Sequence, residues 1–305
     1  MEKIRFETVF ILVLLVGLLI FISGATGCSS DKKTTFDTTG LTMAFVDNAP
    51  PKQMVTGQAY PYYIDVQNLG GYDINPGNAH FYLKGVGDNL RNINTNVMNA
   101  NYLNKKTIMQ EGGRERIIFS SSAQPWKQLP SAFNFTTSID SCYLYATTVL
   151  SRICVGYGDS GCVITGDKID SASNSASPVQ VTSITESTVG NKLYVTLTIQ
   201  NKGTGAVYLP TTDCTKLIEK ADVDEKSKIN QVERGIRAEE GFICKLQSTQ
   251  APYGSIDSLT GKTSVGTVTC EKTLTETQGH DSAFEIALLF MYQESMSKSL
   301  TIYPA

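Results

Sequence analysis

The sequence predicts an all-β fold of two tandem β-sandwiches, and three observations favour it. The 305-residue chain contains 14 tyrosines and 25 glycines and is rich in Thr, Ser and Asn, the residue types of strands and turns. Short runs of alternating apolar and polar residues are separated by turn residues. The pattern restarts after a small polar segment at 171–177, which predicts a first sandwich over 40–170 and a second over 178–305.

The first predicted sandwich begins with a strand at 41–46, which ends before Pro50-Pro51. A second strand at 60–66 runs into an Asn-Leu-Gly-Gly turn at 68–71. The other predicted elements of this half are a strand at 81–83, an Asn-rich loop at 89–104, a strand at 117–119 and a strand that starts at 133–139.

The second predicted sandwich contains strands at 179–184 and 193–199, both with clear alternation. The charged segment 221–240 stays open between helix and loop, because its apolar stripe is thin. Near residue 290 the alternation of apolar side chains predicts a strand rather than a helix; these side chains are Phe284, Ile286, Leu288, Phe290 and Tyr292.

The two halves share a sequence phrase. Residues 64–74 match residues 197–207, and in both an alternating strand ends in Gln-Asn-x-Gly before a second strand follows. Asn and Gly tolerate left-handed backbone at low cost, so they suit a tight reversal at this point. The match predicts two related modules.

The first thirty residues predict export. Lys3 and Arg5 precede an apolar run at 9–22, and small residues at 23–27 lead to Cys28, which is the order of a secretory signal. Ala25-Thr26-Gly27-Cys28 resembles a lipobox, in which the cysteine is lipidated and becomes the mature N-terminus. We therefore expect a signal peptide or membrane anchor at 1–28, with Cys28 as the lipidation site, and a flexible spacer at 29–39.

A retained transmembrane helix is the alternative to lipidation. The apolar run alone makes about 21 Å of helix, short of the ~30 Å hydrocarbon core, but extension to Ser29 gives a viable length. Both readings place the rest of the chain on the extracellular face of the cell membrane, with the membrane as a partner through the N-terminal anchor.

Cysteine usage agrees with an oxidising compartment. Apart from Cys28 there are six cysteines, an even number, as a disulfide framework requires. Zinc is disfavoured because the sequence has no Cys-x-x-Cys pair. The pairs that would bracket one turn between strands give the predicted bridges Cys142–Cys154 and Cys244–Cys270, which leaves Cys162–Cys214 to link the halves.

Composition argues against several functions. A net charge of −3 with 18% charged residues provides no basic face for nucleic acid. Two histidines in the whole chain disfavour His-based catalysis, and the protease-like motif at 158–161 lacks the Gly-Pro that should follow it. Asp222, Asp224 and Glu225 could bind calcium, but lysines follow at once and a solvated loop is expected. We therefore expect no catalytic residue, no metal and no cofactor.

A glycosylation sequon stands at Asn134-Phe135-Thr136, which predicts Asn134 as a surface glycosylation site. The strand tyrosines could form a carbohydrate platform, but rings packed in the core are expected instead.

Several short pieces carry a resemblance to known proteins. They are Pro50-Pro51, Gly112-Gly113, residues 142–147 with 153–155, residues 177–181, and residues 200–205. A strand ending in Asn-x-Gly resembles the immunoglobulin-like modules of cell-surface proteins, and the fuller pattern is similar to archaeal cell-surface lipoproteins of undetermined role. The resemblance implies tandem immunoglobulin-like sandwiches, extracellular placement and no known catalysis.

The expected function is that of a membrane-tethered structural or adhesive protein that is not an enzyme, with envelope proteins or glycans as partners. The alternative is a surface lipoprotein that binds a small molecule or carbohydrate for uptake.

Overall fold

The computed structural model describes residues 37–125, 129–156, 161–170, 172–246, 265–275 and 278–305. Strands dominate it, so the predicted all-β class is confirmed. The strands of the first half are β1 (Leu41–Phe45), β2 (Gln53–Val55), β3 (Tyr60–Asn68), β4 (Ala79–Lys84), β5 (Leu90–Arg91), β6 (Asn96–Met98), β7 (Arg114–Pro125) and β8 (Phe133–Val155).

The second half adds seven strands and two short helices in the described residues. In chain order they are β9 (Val179–Val189), β10 (Lys192–Asn201), β11 (Ala206–Tyr208), α1 (Cys214–Ile218), α2 (Val223–Ser227), β12 (Glu233–Arg237), β13 (Ile243–Leu246), β14 (Val265–Thr273) and β15 (His280–Tyr303).

The strands form three sheets. Two have four strands each, in the orders β1-β3-β7-β5 and β13-β14-β10-β9. The third has seven strands in the order β11-β15-β8-β4-β6, and β2 and β12 also pair with β15. All pairings in the three sheets are antiparallel except that of β2 with β15.

The seven-stranded sheet is built around one long ladder. β15 pairs antiparallel with the whole 23-residue length of β8, from His280 opposite Val155 to Ile302 opposite Phe133. At about 3.4 Å per residue this ladder is about 75 Å long. It joins the first half of the chain to the second.

One face of this ladder, the inner face, carries both small sheets. The hydroxyl of Tyr62 in β3 lies 2.6 Å from Thr137 in β8, and farther along β8 the Thr147 hydroxyl donates to the Val179 carbonyl of β9 at 2.5 Å. The main cluster of buried apolar residues draws on all three sheets. The alternation predicted near residue 290 is confirmed, because these side chains are fully buried: Phe284, Ile286, Leu288, Phe290 and Tyr292.

The ladder has an internal two-fold symmetry. Leu144 lies opposite Met291 at its centre, and the pairing extends 11 residues in each direction along both strands. The three-strand orders β1-β3-β7 and β9-β10-β14 repeat on the two sides of this centre. A half-turn about the central pair therefore relates β8 to β15.

The repeated sequence phrase forms the same turn in both halves. In the first, the Asn68 side chain donates to the Tyr72 carbonyl at 2.7 Å and accepts from Gly70 N–H at 3.2 Å. The hydroxyl of Tyr145, on β8, donates to Asn68 Oδ1 at 3.1 Å and receives Tyr72 N–H at 3.5 Å.

The second copy repeats these bonds at equivalent positions. The Asn201 side chain donates to the Gly205 carbonyl at 2.8 Å and accepts from Gly203 N–H at 3.1 Å. The Tyr292 hydroxyl, on β15, accepts from Gly205 N–H at 2.8 Å. The repeat read from the sequence is therefore confirmed in its hydrogen bonding.

The segment predicted as a linker, 171–177, is held against the body where the structure describes it. Ser175 N–H donates to the Thr148 carbonyl at 2.8 Å, and Leu150 N–H donates to the Ser173 carbonyl at 2.9 Å. The described residues from Asp37 onward belong to one compact unit. The division into two immunoglobulin-like sandwiches at this segment stays a prediction, since the last long strands of the two halves pair with each other.

The structure describes only the C-terminal end of the spacer predicted at 29–39. The end of the predicted spacer belongs to the body, because the Asp37 carbonyl accepts from Ser177 N–H at 3.1 Å. Cys28 and residues 29–36 lie outside the described residues.

The segment 221–240, left open between helix and loop, contains α2 and the sheet strand β12. Within the described ranges, no helix is long and apolar enough to cross a membrane.

We expect Tyr145→Phe and Tyr292→Phe each to lower the free energy of unfolding by about 1–3 kcal/mol. Each change removes the hydroxyl that caps a backbone N–H at an Asn turn. Thermal unfolding followed by circular dichroism measures the loss. Tyr303→Phe is the matched control, because Tyr303 is 39% exposed. Equal effects of all three substitutions would contradict the role given to the two hydroxyls.

Candidate functional site

The six cysteines form three disulfides: Cys142–Cys214, Cys154–Cys162 and Cys244–Cys270. Their Cα atoms lie 5.9, 5.5 and 3.8 Å apart. The predicted bridge Cys244–Cys270 is confirmed, and the predicted bridges Cys142–Cys154 and Cys162–Cys214 are wrong.

The reason for the error is the length of β8. Cys142 and Cys154 both lie on this strand, 12 residues apart, so an extended backbone separates them by about 40 Å. A disulfide needs Cα atoms within about 7 Å. The expectation of a turn between these two cysteines therefore failed, and each finds a partner outside β8.

The bridge Cys142–Cys214 attaches α1 to the outer face of the seven-stranded sheet. It lies in a second, smaller apolar cluster that includes Tyr82, Leu217 and Met291. Asp213 begins α1, and its carboxylate accepts from Thr215 N–H at 3.0 Å. The bridge and this cluster hold the helical insertion between β11 and β12 in place.

The residues considered for calcium form a helix start instead of the expected solvated loop. The Asp222 carboxylate accepts from Asp224 N–H at 2.9 Å and from Glu225 N–H at 3.2 Å, which caps α2. Glu225 is buried and accepts from Asp213 N–H at 2.9 Å and from Lys228 Nζ at 2.7 Å. Among the described side chains, no three His, Cys, Asp or Glu residues gather as a metal site.

His80 is half-buried on β4 and packs parallel to Tyr82, with ring centroids 6.1 Å apart. Burial lowers the pKa of His80, although the nearby Asp213 carboxylate opposes this effect. The Tyr82 hydroxyl lies 3.3 Å from His80 Nδ1 and 3.0 Å from Thr215 Oγ1. Ser160 and the rest of 157–160 lie outside the described residues, as do Trp126 and 261–263.

A row of polar side chains lies on the outer face of the ladder, where alternate residues of β8 and β15 point away from the core. We call this surface the hydroxyl face. It consists of Asn134, Thr136 and Ser138 of β8 with Ser295, Ser297, Ser299 and Thr301 of β15, all exposed or half-exposed.

Cross-strand hydrogen bonds order the hydroxyl face. The Thr301 hydroxyl donates to Asn134 Oδ1 at 2.7 Å, and the hydroxyls of Thr136 and Ser299 lie 3.4 Å apart. The side chain of Asn134 is exposed, so a glycan attached there would lie on this face. Glycosylation at Asn134 stays a prediction.

One ion pair borders the hydroxyl face. Lys84 Nζ on β4 lies 2.5 Å from Asp140 Oδ2, and the Ser295 hydroxyl donates to Asp140 Oδ1 at 2.7 Å. The face itself presents hydroxyl and amide groups, which donate and accept hydrogen bonds but have no pKa near neutrality. This chemistry suits the recognition of a polar surface rather than proton transfer.

The hydroxyl face was not predicted, although the sequence contains a signal for it. Ser295, Ser297, Ser299 and Thr301 follow one another at period two, which in a strand places them on one side. The matching residues of β8 lie more than 150 positions earlier, and their register with β15 could not be read from the sequence.

A groove of about 520 Å³ lies on the first small sheet, but its charges neutralise each other. Arg116 forms a bidentate pair with Asp65, at 2.7 and 3.0 Å, which lowers the pKa of the Asp65 carboxyl. Arg114 pairs with Glu111 at 3.0 Å. The groove therefore offers a ligand little uncompensated charge.

The tyrosines considered as a carbohydrate platform lie mainly in the core. Tyr62, Tyr143 and Tyr145 are fully buried, which confirms the expectation of packing for these three. Tyr60 and Tyr63 are half-buried, and Tyr157 lies outside the described residues.

Burial raises the pKa of two carboxyl groups, those of Glu186 and Glu294. The side chain of Glu186 in β9 is fully buried, accepts from Cys154 N–H at 3.0 Å and lies 3.9 Å from Lys168 Nζ. Burial raises the pKa of Glu186 to about 7. Burial raises the pKa of Glu294 to about 7 as well, beside the hydroxyls of Tyr143 and Tyr292.

Comparison with known proteins identifies no family. No protein family model matches the chain, and no curated protein matches its sequence. Among solved structures the chain is similar to the secreted serine protease VesC from Vibrio cholerae, at 11% identity and a TM-score of 0.22. The match covers 82% of this chain and only 50% of that protein. A TM-score this low supports no inference about fold or activity.

We expect the free energy of unfolding to fall as the pH rises from about 4.5 to 7. In this window the folded state retains protons on Glu186 and Glu294, whereas an unfolded carboxyl releases its proton near pH 4.5. Glu186→Gln and Glu294→Gln should each raise the melting temperature at pH 8, by on the order of 5 °C. Scanning calorimetry across this pH range measures the effect.

Glu111→Gln is the control for these two substitutions, because its side chain is 81% exposed. Its melting curve should match that of the unmodified chain at every pH. A wild-type melting temperature that rises from pH 4.5 to 7 would refute the assignment.

Proposed function

We propose that this chain is an extracellular, membrane-tethered protein with a structural or adhesive role. The observation that supports the proposal most is the pairing of all six cysteines that follow Cys28. Disulfides persist in oxidising compartments outside the cytoplasm, and each contributes about 2–4 kcal/mol to stability. The signal-like segment at 1–28 supplies the route of export and the tether.

The hydroxyl face supports the adhesive part of the proposal. It is an exposed surface on a continuous antiparallel ladder, and the hydrogen bond from Thr301 to Asn134 helps to order its groups before any partner binds. Interfaces of this polarity are wet and derive their specificity from many hydrogen bonds. An envelope glycan or a polar protein surface fits this chemistry.

A surface lipoprotein that binds a carbohydrate for uptake is the second candidate, and the same hydroxyl face favours it. Uptake proteins enclose most of a small ligand, which requires a concave site. The hydroxyl face is an exposed sheet surface, which favours a large partner over an enclosed small one, so we prefer the adhesive role.

We expect the chain isolated from native envelopes to contain the three described disulfides and an N-terminus at Cys28. Peptide mapping under non-reducing conditions, with a reduced sample as control, identifies the bridges. Mass spectrometry of the N-terminus tests the anchor, and lipidation predicts that Cys28→Ala is shed into the medium. An intact Met1 would exclude lipidation, and six free thiols would remove the support for an extracellular location.

We expect the double substitution Ser297→Arg and Ser299→Arg to reduce binding of the chain to intact envelopes at least tenfold. Two long cations on the hydroxyl face block close approach and change its hydrogen bonding. Ser187→Arg is the matched control, since Ser187 is an exposed serine on β9, away from this face. Envelope sedimentation measures binding, and unchanged melting temperatures show that the fold is intact.

Equal binding by the double variant and the control would contradict an adhesive role of the hydroxyl face. A soluble sugar that competes for the face and raises the melting temperature would favour the uptake reading instead.

A further inference from the structure

Residues 104–113 form a projecting hairpin between β6 and β7, which we call the tip hairpin. Its turn is closed by Thr107 N–H donating to the Gln110 carbonyl at 2.9 Å and by the reverse bond at 3.4 Å. Ile108 and Met109 stand at the turn and are 106% and 99% exposed. Two adjacent large apolar side chains are therefore almost completely exposed to water, which makes the turn a candidate contact surface.

The base of the tip hairpin is fixed to the body. Gly113 N–H donates to the Asn104 carbonyl at 2.8 Å, and Lys106 N–H donates to the Gly70 carbonyl at 2.9 Å. The Asp73 carboxylate accepts from Lys105 N–H at 2.7 Å. The apolar tip is therefore presented by an ordered hairpin, so little conformational entropy is lost when the tip binds.

The tip hairpin contains two lysines and one glutamate, so the hairpin itself suits an anionic surface, although the Asp73 carboxylate lies at its base. Lys105 and Lys106 are exposed, and neither pairs with a described carboxylate. Glu111, the acidic residue of the tip hairpin, is neutralised by Arg114 at 3.0 Å. Tyr102, half-exposed at the base, adds an aromatic ring. An apolar tip above lysines and a tyrosine is the arrangement of segments that enter the interface of a bilayer.

The tip hairpin lies at the corner where the chain enters the described body. Leu69 N–H donates to the Gly40 carbonyl at 2.9 Å, and the next residue, Gly70, accepts from Lys106 of the hairpin. Fourteen residues, 23–36, separate the apolar segment 9–22 from Asp37. That length reaches at most about 50 Å, so a membrane holding the segment is within reach of the tip.

We infer that Ile108 and Met109 insert into the surface of the membrane that carries the N-terminal tether. The inference rests on the tether of the proposed function and adds a second contact to it. Two side chains bind a bilayer weakly by themselves, but the tether makes their insertion intramolecular. The tether and tip together orient the body on the membrane instead of leaving it free to rotate.

The first test uses the unmodified full chain in phosphatidylcholine vesicles containing phosphatidylglycerol. Hydrogen peroxide oxidises exposed methionines, and peptide mass spectrometry measures the rate at each position. Met109 should be oxidised several-fold more slowly in the vesicle-bound chain than in the soluble body that proteolysis releases from the vesicles. Met98, which is 51% exposed and outside the tip hairpin, is the internal control and should keep its rate.

The second test places a single tryptophan at the tip, as Ile108→Trp in a Trp126→Phe background of the full chain. Its emission should shift to shorter wavelength on vesicles, and lipids brominated near the headgroup should quench it several-fold more than the control. The control is Val223→Trp in the same background, at a position 79% exposed on α2. Lys105→Glu with Lys106→Glu should weaken the quenching on anionic vesicles.

The outcomes separate the tip from the tether. A chain that floats with vesicles while Met109 and the tip tryptophan stay water-exposed overturns the inference and leaves the tether standing. A chain that does not float overturns the tether and the inference together. Protection of the tip by envelope proteins but not by lipid vesicles would assign it to a protein partner and overturn the inference.

Discussion

The antiparallel pairing of β8 with β15 is the constraint on which the rest of the structure depends. Each strand belongs to a different half of the chain, yet both small sheets pack against the ladder that the two strands form. The side chains on the inner face of the ladder belong to the main apolar core. Its outer side carries the hydroxyl face and the disulfide-linked helical insertion.

The sequence predicted what short-range patterns can encode. Alternation identified β3, β9, β10 and β15, and the Gln-Asn-x-Gly phrase identified a turn whose hydrogen bonds recur in both halves. The pairing of Cys142 could not be predicted, because the bridge Cys142–Cys214 depends on the length of β8 and on an insertion between β11 and β12. Both are properties of the assembled sheet and leave no local pattern.

The same limit applies to the candidate surfaces. The serines at 295, 297 and 299 were visible at period two, but only the register with β8 brings Asn134 and Thr136 beside them. Ile108 and Met109 read as an ordinary apolar pair in sequence. The folded hairpin shows that both side chains are exposed. It also shows that the hairpin lies close to residues 37–40, where the described body begins.

The central position of β15 has a consequence for how the protein is made. This strand follows every other described strand in the sequence, and β2, β8, β11 and β12 all pair with it. The seven-stranded sheet cannot form until β15 has been synthesised, although the two small sheets do not contain this strand. Most contacts in the fold span long sequence separations. We therefore expect the seven-stranded sheet to assemble after both small sheets, and more slowly than a sheet built from neighbouring strands.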